Sequence, residues 1–369
     1  MIYLDHHAAT PIPETVRRAM EDAASAAWAN PSSTHAAGRA SRRLLENART
    51  VIAESIGAKP ADVVLTAGGT EACNLGIRGL AAGCSRVVTS AIEHPAVAQT
   101  ALRLEREGRD LVTLAVPQGQ PPSVEALASQ VDAETLVAMQ WVNHETGTVF
   151  PVEAYARVCR GRGARFFVDA TQALGKIQID AGSLGAHAIA LAGQKVGGPA
   201  GGGACWVARE IELDPVLDGG PQERGRRPGT PDALSVVGFG AACGLVGARL
   251  GAQPRIRALR DQIEAELVAL GAAVNGVEPR TGTVANLSFR GWEGPLLVAA
   301  LDLEGVCVSA GAACSSGLQE PSPVLLAMYP DEQWRAGSAV RISLGIETTP
   351  EDIDLALRGF RRVLARSQG

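Results

Sequence analysis

The chain has 369 residues, 46% of them hydrophobic, with a formal net charge of −5 and a sequence pI near 5.8. This acidic balance argues against a general nucleic-acid or anionic-membrane binder. No basic run is much longer than Arg226-Arg227 or Arg361-Arg362. The length suits one large α/β domain with a smaller one attached. The seven cysteines are odd in number and form no C-x-x-C pair, so neither a disulfide framework nor a metal site is expected.

The first residues, Met1-Ile2-Tyr3-Leu4-Asp5, lack the charged and apolar regions of a signal peptide. The longest apolar stretch, 233–248, is shorter than the roughly 18–20 residues of a membrane span. A cytoplasmic protein in a reducing compartment is the expectation, with no membrane and no direct nucleic-acid partner.

Apolar runs rich in β-branched residues predict strands at 63–66, 86–89, 111–115, 136–142, 165–168, 188–192 and 203–208. Helical periodicity falls between several of them, at 40–55, 70–82, 96–107, 123–131 and 152–160. Such alternation predicts an α/β fold with a mostly parallel seven-stranded sheet covered on both faces. In such sheets, sites form at the carboxyl ends of the strands. After about residue 210 the rhythm changes. A Gly/Pro/Arg loop at 218–230 precedes a long apolar helical stretch. Short strands at 285–289, 306–309 and 340–343 and a helix at 350–364 then read as a smaller α+β unit. The expected division is an N-terminal segment 1–14 packing with the small domain, a large domain 15–250 and a small domain 251–369.

The strand ends carry the chemistry. Thr66-Ala67-Gly68-Gly69-Thr70-Glu71 closes a strand and opens a helix, where backbone N–H groups and the Thr70 hydroxyl suit a phosphate. The same residues also read as an ordinary glycine turn with a Thr N-cap. Asp169 ends another strand, either capping the next helix or pairing with a cofactor's protonated ring nitrogen. Lys195 lies among glycines in Ala192-Gly193-Gln194-Lys195-Val196-Gly197-Gly198. A partly desolvated lysine there has a lowered pKa and can form a Schiff base. The 34 basic residues include only two other lysines, Lys59 and Lys176, and both read as solvated. Cys314 sits in a loop of small residues, where an exposed nucleophile is placed. The other cysteines read as small buried hydrophobes. Phosphate cup, strand-end Asp, glycine-bedded Lys and loop Cys together point to pyridoxal 5′-phosphate.

Many ordered motifs carry a resemblance. They run from Tyr3-Leu4-Asp5, Ala8-Ala9-Thr10-Pro11 and Asn30-Pro31-Ser32-Ser33 through Gly69-Thr70-Glu71, Glu93-His94-Pro95 and Glu145-Thr146-Gly147. Asp169-Ala170-Thr171-Gln172, Gln222-Glu223-Arg224-Gly225, Glu320-Pro321-Ser322 and Arg341-Ile342-Ser343-Leu344-Gly345 continue the series. The chain resembles the class V aminotransferases, specifically the cysteine desulfurases of nitrogen-fixation and iron–sulfur-assembly type. That resemblance implies the type I fold of pyridoxal-phosphate enzymes, a homodimer, L-cysteine as substrate and a sulfur-acceptor protein. It gives Lys195 the cofactor's Schiff base, Asp169 the pyridinium nitrogen and Gln172 the phenolic oxygen. His94 would stack on the ring and move protons. Gly69 and Thr70 would hold the phosphate, with Thr230 from the second subunit. Arg341 would clamp the substrate carboxylate, and Cys314 would attack the substrate sulfur.

Three positions depart from that pattern. Gln194 replaces a His, Ala192 replaces a phosphate-binding Ser, and His144 replaces the second Asn after Asn143. Asn143 and His144 are still expected beside the substrate, and His144 and Gln194 beside the cofactor. A related C–S lyase or aminotransferase-like enzyme would use the same pocket without Cys314. A weak sulfur-relay or scaffold subunit is the third reading.

Overall fold

The computed structural model describes residues 1–311 and 320–366. In chain order the first half contains β1 (Ile2–Tyr3), α1 (Glu14–Ala26), α2 (Ala36–Glu54), β2 (Val63–Thr66), α3 (Gly69–Leu80), β3 (Arg86–Ser90) and α4 (Pro95–Arg106). It continues with β4 (Asp110–Leu114), α5 (Val124–Ala128), β5 (Thr135–Gln140), α6 (Val152–Arg162), β6 (Arg165–Asp169), α7 (Ala181–Leu184), β7 (Ala188–Ala192) and β8 (Gly203–Val207). The second half adds α8 (Ala233–Cys243), α9 (Val246–Ala269), β9 (Ala272–Val274), β10 (Val284–Phe289), α10 (Gly294–Leu303) and β11 (Val306–Cys307). It ends with α11 (Pro323–Met328), α12 (Trp334–Gly337), β12 (Ala339–Ser343) and α13 (Pro350–Arg366).

Strands β2 to β8 form one seven-stranded sheet in the order β2-β8-β7-β6-β5-β3-β4. β8 runs antiparallel to both its neighbours, and the other pairings are parallel. The side-chain period of two sorts residues onto two faces. Phe166, Val168, Ile189 and Leu191 join one apolar cluster with residues of α1, α2, α6 and α8. Phe167, Ala188, Ala190 and Cys205 join another with α3 and α4. Both faces are therefore buried, which is why these strands read as continuous apolar runs.

The smaller sheet, β12-β10-β9, is antiparallel and packs with α9, α10 and α13. Leu4 belongs to this cluster, and β1 pairs in parallel with β11. The boundary expected between 250 and 251 falls inside the continuous helix α9. In addition, Val324, Leu325 and Met328 of α11 pack into the large cluster. Leu4 thus lies with the small core, as expected of the segment 1–14, and α11 reaches from the second half into the large one.

The apolar stretch 233–248 resolves into α8 and the first residues of α9, a pair bent by 54°. No single described helix is long and apolar enough to cross a membrane, although this bent pair passes by length and composition. In the fold, α8 packs on α1 and α2.

Phe360 of α13 is fully buried and stacks on Phe289 of β10, with centroids 6.0 Å apart. Phe360→Ala should cost about 3–5 kcal/mol. The expected result is a lower urea midpoint for the transition that reports the small core.

Candidate active site

Five strand-end segments and the N-terminal segment meet at one cavity of about 140 Å³. It lies at the carboxyl ends of the parallel strands. A broader groove of about 620 Å³ runs along the amino ends of β6 and β7, past Lys59, Arg160 and His187, but it gathers no catalytic set. The chemistry, not the volume, selects the smaller cavity.

Asp169 is the last residue of β6 and is 5% exposed. Its Oδ1 accepts from the N and Oγ1 of Thr171, at 3.0 and 2.7 Å. Those bonds stabilise a carboxylate in a nearly closed site. The buried thiol of Cys73 lies beside it, and burial first, then the Asp169 charge, pushes that thiol well up. Cys73 is therefore not a thiolate.

β7 ends at Ala192, and a tight turn over Gly193–Lys195 follows. The Lys195 Nζ donates to the carbonyl oxygens of His7 and Ala8, at 2.9 and 2.8 Å. Gln194 faces the cavity, and its Oε1 has no hydrogen-bond partner among the described residues. Ala192 forms part of the wall with its methyl group.

The start of α3 supplies the floor. Gly68 has φ +129°, a conformation that L side chains rarely adopt, and a Cβ on Gly69 would meet Ala192 Cβ and Thr171 Cγ2 at 3.0 Å. Glycine here lets the backbone reach the cavity. Among the described residues no side chain caps this helix, so its first N–H groups suit an anion.

His94 is the N-cap of α4, with Nδ1 accepting from Ala96 N at 3.0 Å. That bond fixes its ring at the cavity wall, edge-to-face with His144 and 5.2 Å away. His144 stands in the turn after β5. It is buried, and desolvation first, then the charges of His94 and Arg341, push it well below its usual value. Its Nε2 lies 3.8 Å from Glu145 Oε1, too far for a hydrogen bond. Burial also pushes the Glu145 carboxyl up, so both groups are drawn toward neutrality.

Arg341, in β12, is 2% exposed and closes the cavity from the small sheet. Its Nη2 pairs with Asp5 Oδ1 at 2.8 Å, and its Nη1 donates to His144 O at 3.1 Å. Gln172 lines the same cavity, donating from Nε2 to His7 O at 2.9 Å.

Thus Lys195, Asp169, His94, His144, Gln172, Gln194, Gly69, Thr70 and Arg341 surround one space. Asn143 and Thr230 do not line it in this chain. Asn143 is fully buried and spends its Oδ1 on the N–H groups of Glu145 and Thr146, building the turn that presents His144. Thr230 is exposed, at the end of a loop tied back to α3 by Arg227–Glu71 at 2.7 Å. Cys314 lies outside the described residues.

The expectation for Lys176 is corrected. Instead of being solvated it is drawn inward, with Nζ donating to Gln172 Oε1 at 2.6 Å, and burial pushes its amine well down. His7 was also passed over, although its carbonyl holds both Lys195 and Gln172. Its place between Asp5 and Ala8 in the first motif was the available signal.

Residues 2–356 match the family model described as aminotransferase class-V. The chain belongs to the class-V aminotransferase family. It is 37% identical to an IscS-like cysteine desulfurase of Mycobacterium tuberculosis, over all of this chain and 97% of that one. A solved structure titled as a NifS-like protein superposes with a TM-score of 0.92 at 28% identity, covering 99% of each chain. Another, titled SspA in complex with cysteine, gives 0.81 at 30% identity, covering 95% of this chain and all of that one. The class-V fold is the type I fold of pyridoxal-phosphate enzymes, and family members depend on that cofactor.

The residues present fit it. The only carboxylate lining the space, among the described residues, belongs to Asp169, suited to a protonated ring nitrogen. The uncapped α3 start and the Thr70 hydroxyl suit the phosphate, and the Lys195 amine suits the aldehyde. The orphaned Gln194 Oε1 is a further polar atom aimed at this class-V pocket.

His144 also makes the protein acid-sensitive. Its folded pKa is depressed, so the unfolded chain binds the extra proton first, below about pH 6.5. Its contribution is complete above that pH and drains as the pH falls. His144→Asn should therefore lose less stability than wild type between about pH 7 and 5.5, by up to about 1.4 kcal/mol per pH unit. Urea titrations of both proteins at the two pH values check the sign.

Proposed function

We propose that this chain is a pyridoxal 5′-phosphate-dependent cysteine desulfurase that converts L-cysteine to L-alanine and leaves the sulfur on Cys314. The observation that carries this reading is the convergence of the Lys195 amine, the Asp169 carboxylate and the Arg341 guanidinium on one cavity. Lys195 would hold the cofactor, Asp169 its ring nitrogen, Gln172 its phenolic side, and Gly69 and Thr70 its phosphate. When bound, the cofactor supplies an electron sink for the pair left at the substrate Cα.

The protein's own groups do the rest. Arg341 receives the substrate carboxylate, and Asp5 fixes the plane of its guanidinium. Lys195, as a neutral amine, takes the proton from Cα. The Cys314 thiolate attacks the substrate Sγ. The S–S bond forms as the Cβ–S bond breaks, and Cβ keeps that electron pair and gains a proton. Cys314 ends as a persulfide and the substrate as alanine. His94, edge-to-face with His144, would move the thiol proton. A sulfur-acceptor protein then removes the outer sulfur.

The reading extends to a homodimer, in which Thr230 on its exposed loop reaches the partner's phosphate site, and to the cytoplasm as the compartment. The exposure of Thr230 supports the first.

One experiment separates this reading from a C–S lyase. Wild type and Cys314→Ala are incubated with L-cysteine and reductant, and alanine and sulfide are measured together. Wild type should produce the two in equal amounts. Cys314→Ala should keep its visible cofactor band and lose sulfur release by orders of magnitude. Sulfide release by Cys314→Ala at the wild-type rate would replace the desulfurase with a lyase. Borohydride reduction and peptide mapping should label Lys195, and label on Lys59 would overturn the cofactor assignment.

A further inference from the structure

Lys195 lines two cavities. The first is the active site, and the second, of about 20 Å³, is walled by His6, Lys176, Arg249 and Gln253 among others. Lys195 alone of the residues given a role with cofactor or substrate belongs to this second space. The N-terminal segment, the turns after β6 and β7, α9 and the stretch after β12 meet there. Among the described residues, no carboxylate lines it.

Arg249 of α9 is 7% exposed, and its guanidinium makes no hydrogen bond and no ion pair among the described residues. Glu347 is the carboxylate that bears on it, but that side chain is exposed and forms no ion pair with it. A guanidinium stays charged at any working pH, and a buried charge without a partner is costly. His6 is 6% exposed, and its Nδ1 also has no partner among the described residues. Its place is closely fitted: a Cβ on Gly345 would stand 2.1 Å from His6 Cε1, and Tyr3 meets the ring edge-to-face at 5.2 Å. Burial first, then the charges of Arg249 and Lys176, push His6 down to about 4. The imidazole is therefore neutral and can present an N–H from Nδ1. Lys176, part-buried, gives one of its three N–H groups to Gln172 Oε1 at 2.6 Å and makes no ion pair among the described residues.

Positive charge and spare N–H donors thus gather around one small space, with no negative charge to meet them. We propose that this cavity binds one small monovalent anion of the halide class, held by Arg249, Lys176 and His6. Size sets the class: the space takes about one water-sized sphere, so phosphate, sulfate and organic carboxylates are too large. Charge sets the sign: a water molecule would meet the donors but leave the Arg249 guanidinium uncompensated. The bound anion ties the N-terminal segment to α9 and to the turn after β6. The unfolded chain has no such site, so the anion stabilises the fold by mass action.

Bromide is the probe, because it scatters X-rays anomalously. Crystals of the full-length holoenzyme grown with bromide as the halide should show an anomalous peak between Arg249, Lys176 and His6. In solution, urea unfolding is followed as bromide replaces gluconate at constant ionic strength. Near saturation, each tenfold rise in bromide should lower the wild-type unfolding constant by up to tenfold. Arg249→Met, which removes the unpartnered charge, should lose both the peak and the response. If Arg249→Met does not fold, Arg249→Gln takes its place with the same expectation, and the wild-type crystal needs no variant at all. A water refined in the cavity with no anomalous signal would overturn the site. Equal bromide responses in wild type and variant would do the same. A peak without any wild-type response would mark an adventitious ion only and would also overturn it.

Discussion

His7 ties the two halves of the chain to each other and to the reactive lysine. Its N–H donates to Ser343 Oγ at 2.9 Å, and its Nε2 meets Thr283 Oγ1 at 3.0 Å, both in the small unit. Its Nδ1 reaches His144 O at 3.4 Å in the large one. A carbonyl can only accept, so the Nδ1 contact calls for the proton on Nδ1. Burial pushes His7 well down and keeps that neutral tautomer. The carbonyl of the same residue then accepts from Lys195 and Gln172. Asp5, two residues earlier, holds Arg341. The first ten residues are thus a strap, and the cavity has a complete wall only because they cross from one core to the other. Each buried bond is worth roughly 0.5–1.5 kcal/mol, and leaving one partner unmet costs more.

Charge is organised around that strap. Lys195, Lys176 and Arg341 crowd one end of the site, while Asp169 faces them as a carboxylate supported by Thr171. Such a space favours a ligand with anionic groups at several points and one cationic nitrogen near Asp169. Ala192 offers no hydroxyl and Gln194 no imidazole, so α3 and its glycines bear more of the anion. The imidazole gained at position 144 is kept neutral by burial, which leaves it able both to donate and to accept.

The large sheet was legible because its strands are buried on both faces. The runs 63–66 and 188–192 coincide with β2 and β7, where every residue is buried. Direction was not legible: β8 is as fully buried as its neighbours β2 and β7 but runs antiparallel to them. β1, β9 and β11 have two or three residues each, too few to show a period. The run 136–142 overshoots β5, which ends at Gln140, because Trp141 and Val142 are as apolar as the strand but begin the Asn143 turn. At the site, a strand-end aspartate and a lysine among glycines announce themselves locally. Lys176 does not, since its burial depends on α9, β12 and the N-terminal segment, all distant in sequence. Asn143 and Thr230 show the converse: their motifs are local, but their surroundings are set by a backbone turn and an exposed loop.

Sulfur transfer to Cys314 is tested most directly by peptide mass spectrometry of the holoenzyme after one addition of L-cysteine without reductant. The peptide carrying Cys314 should gain one sulfur atom, in step with the alanine formed. Alanine or sulfide appearing while that peptide keeps its mass, or the added sulfur residing on another cysteine, would contradict the assignment.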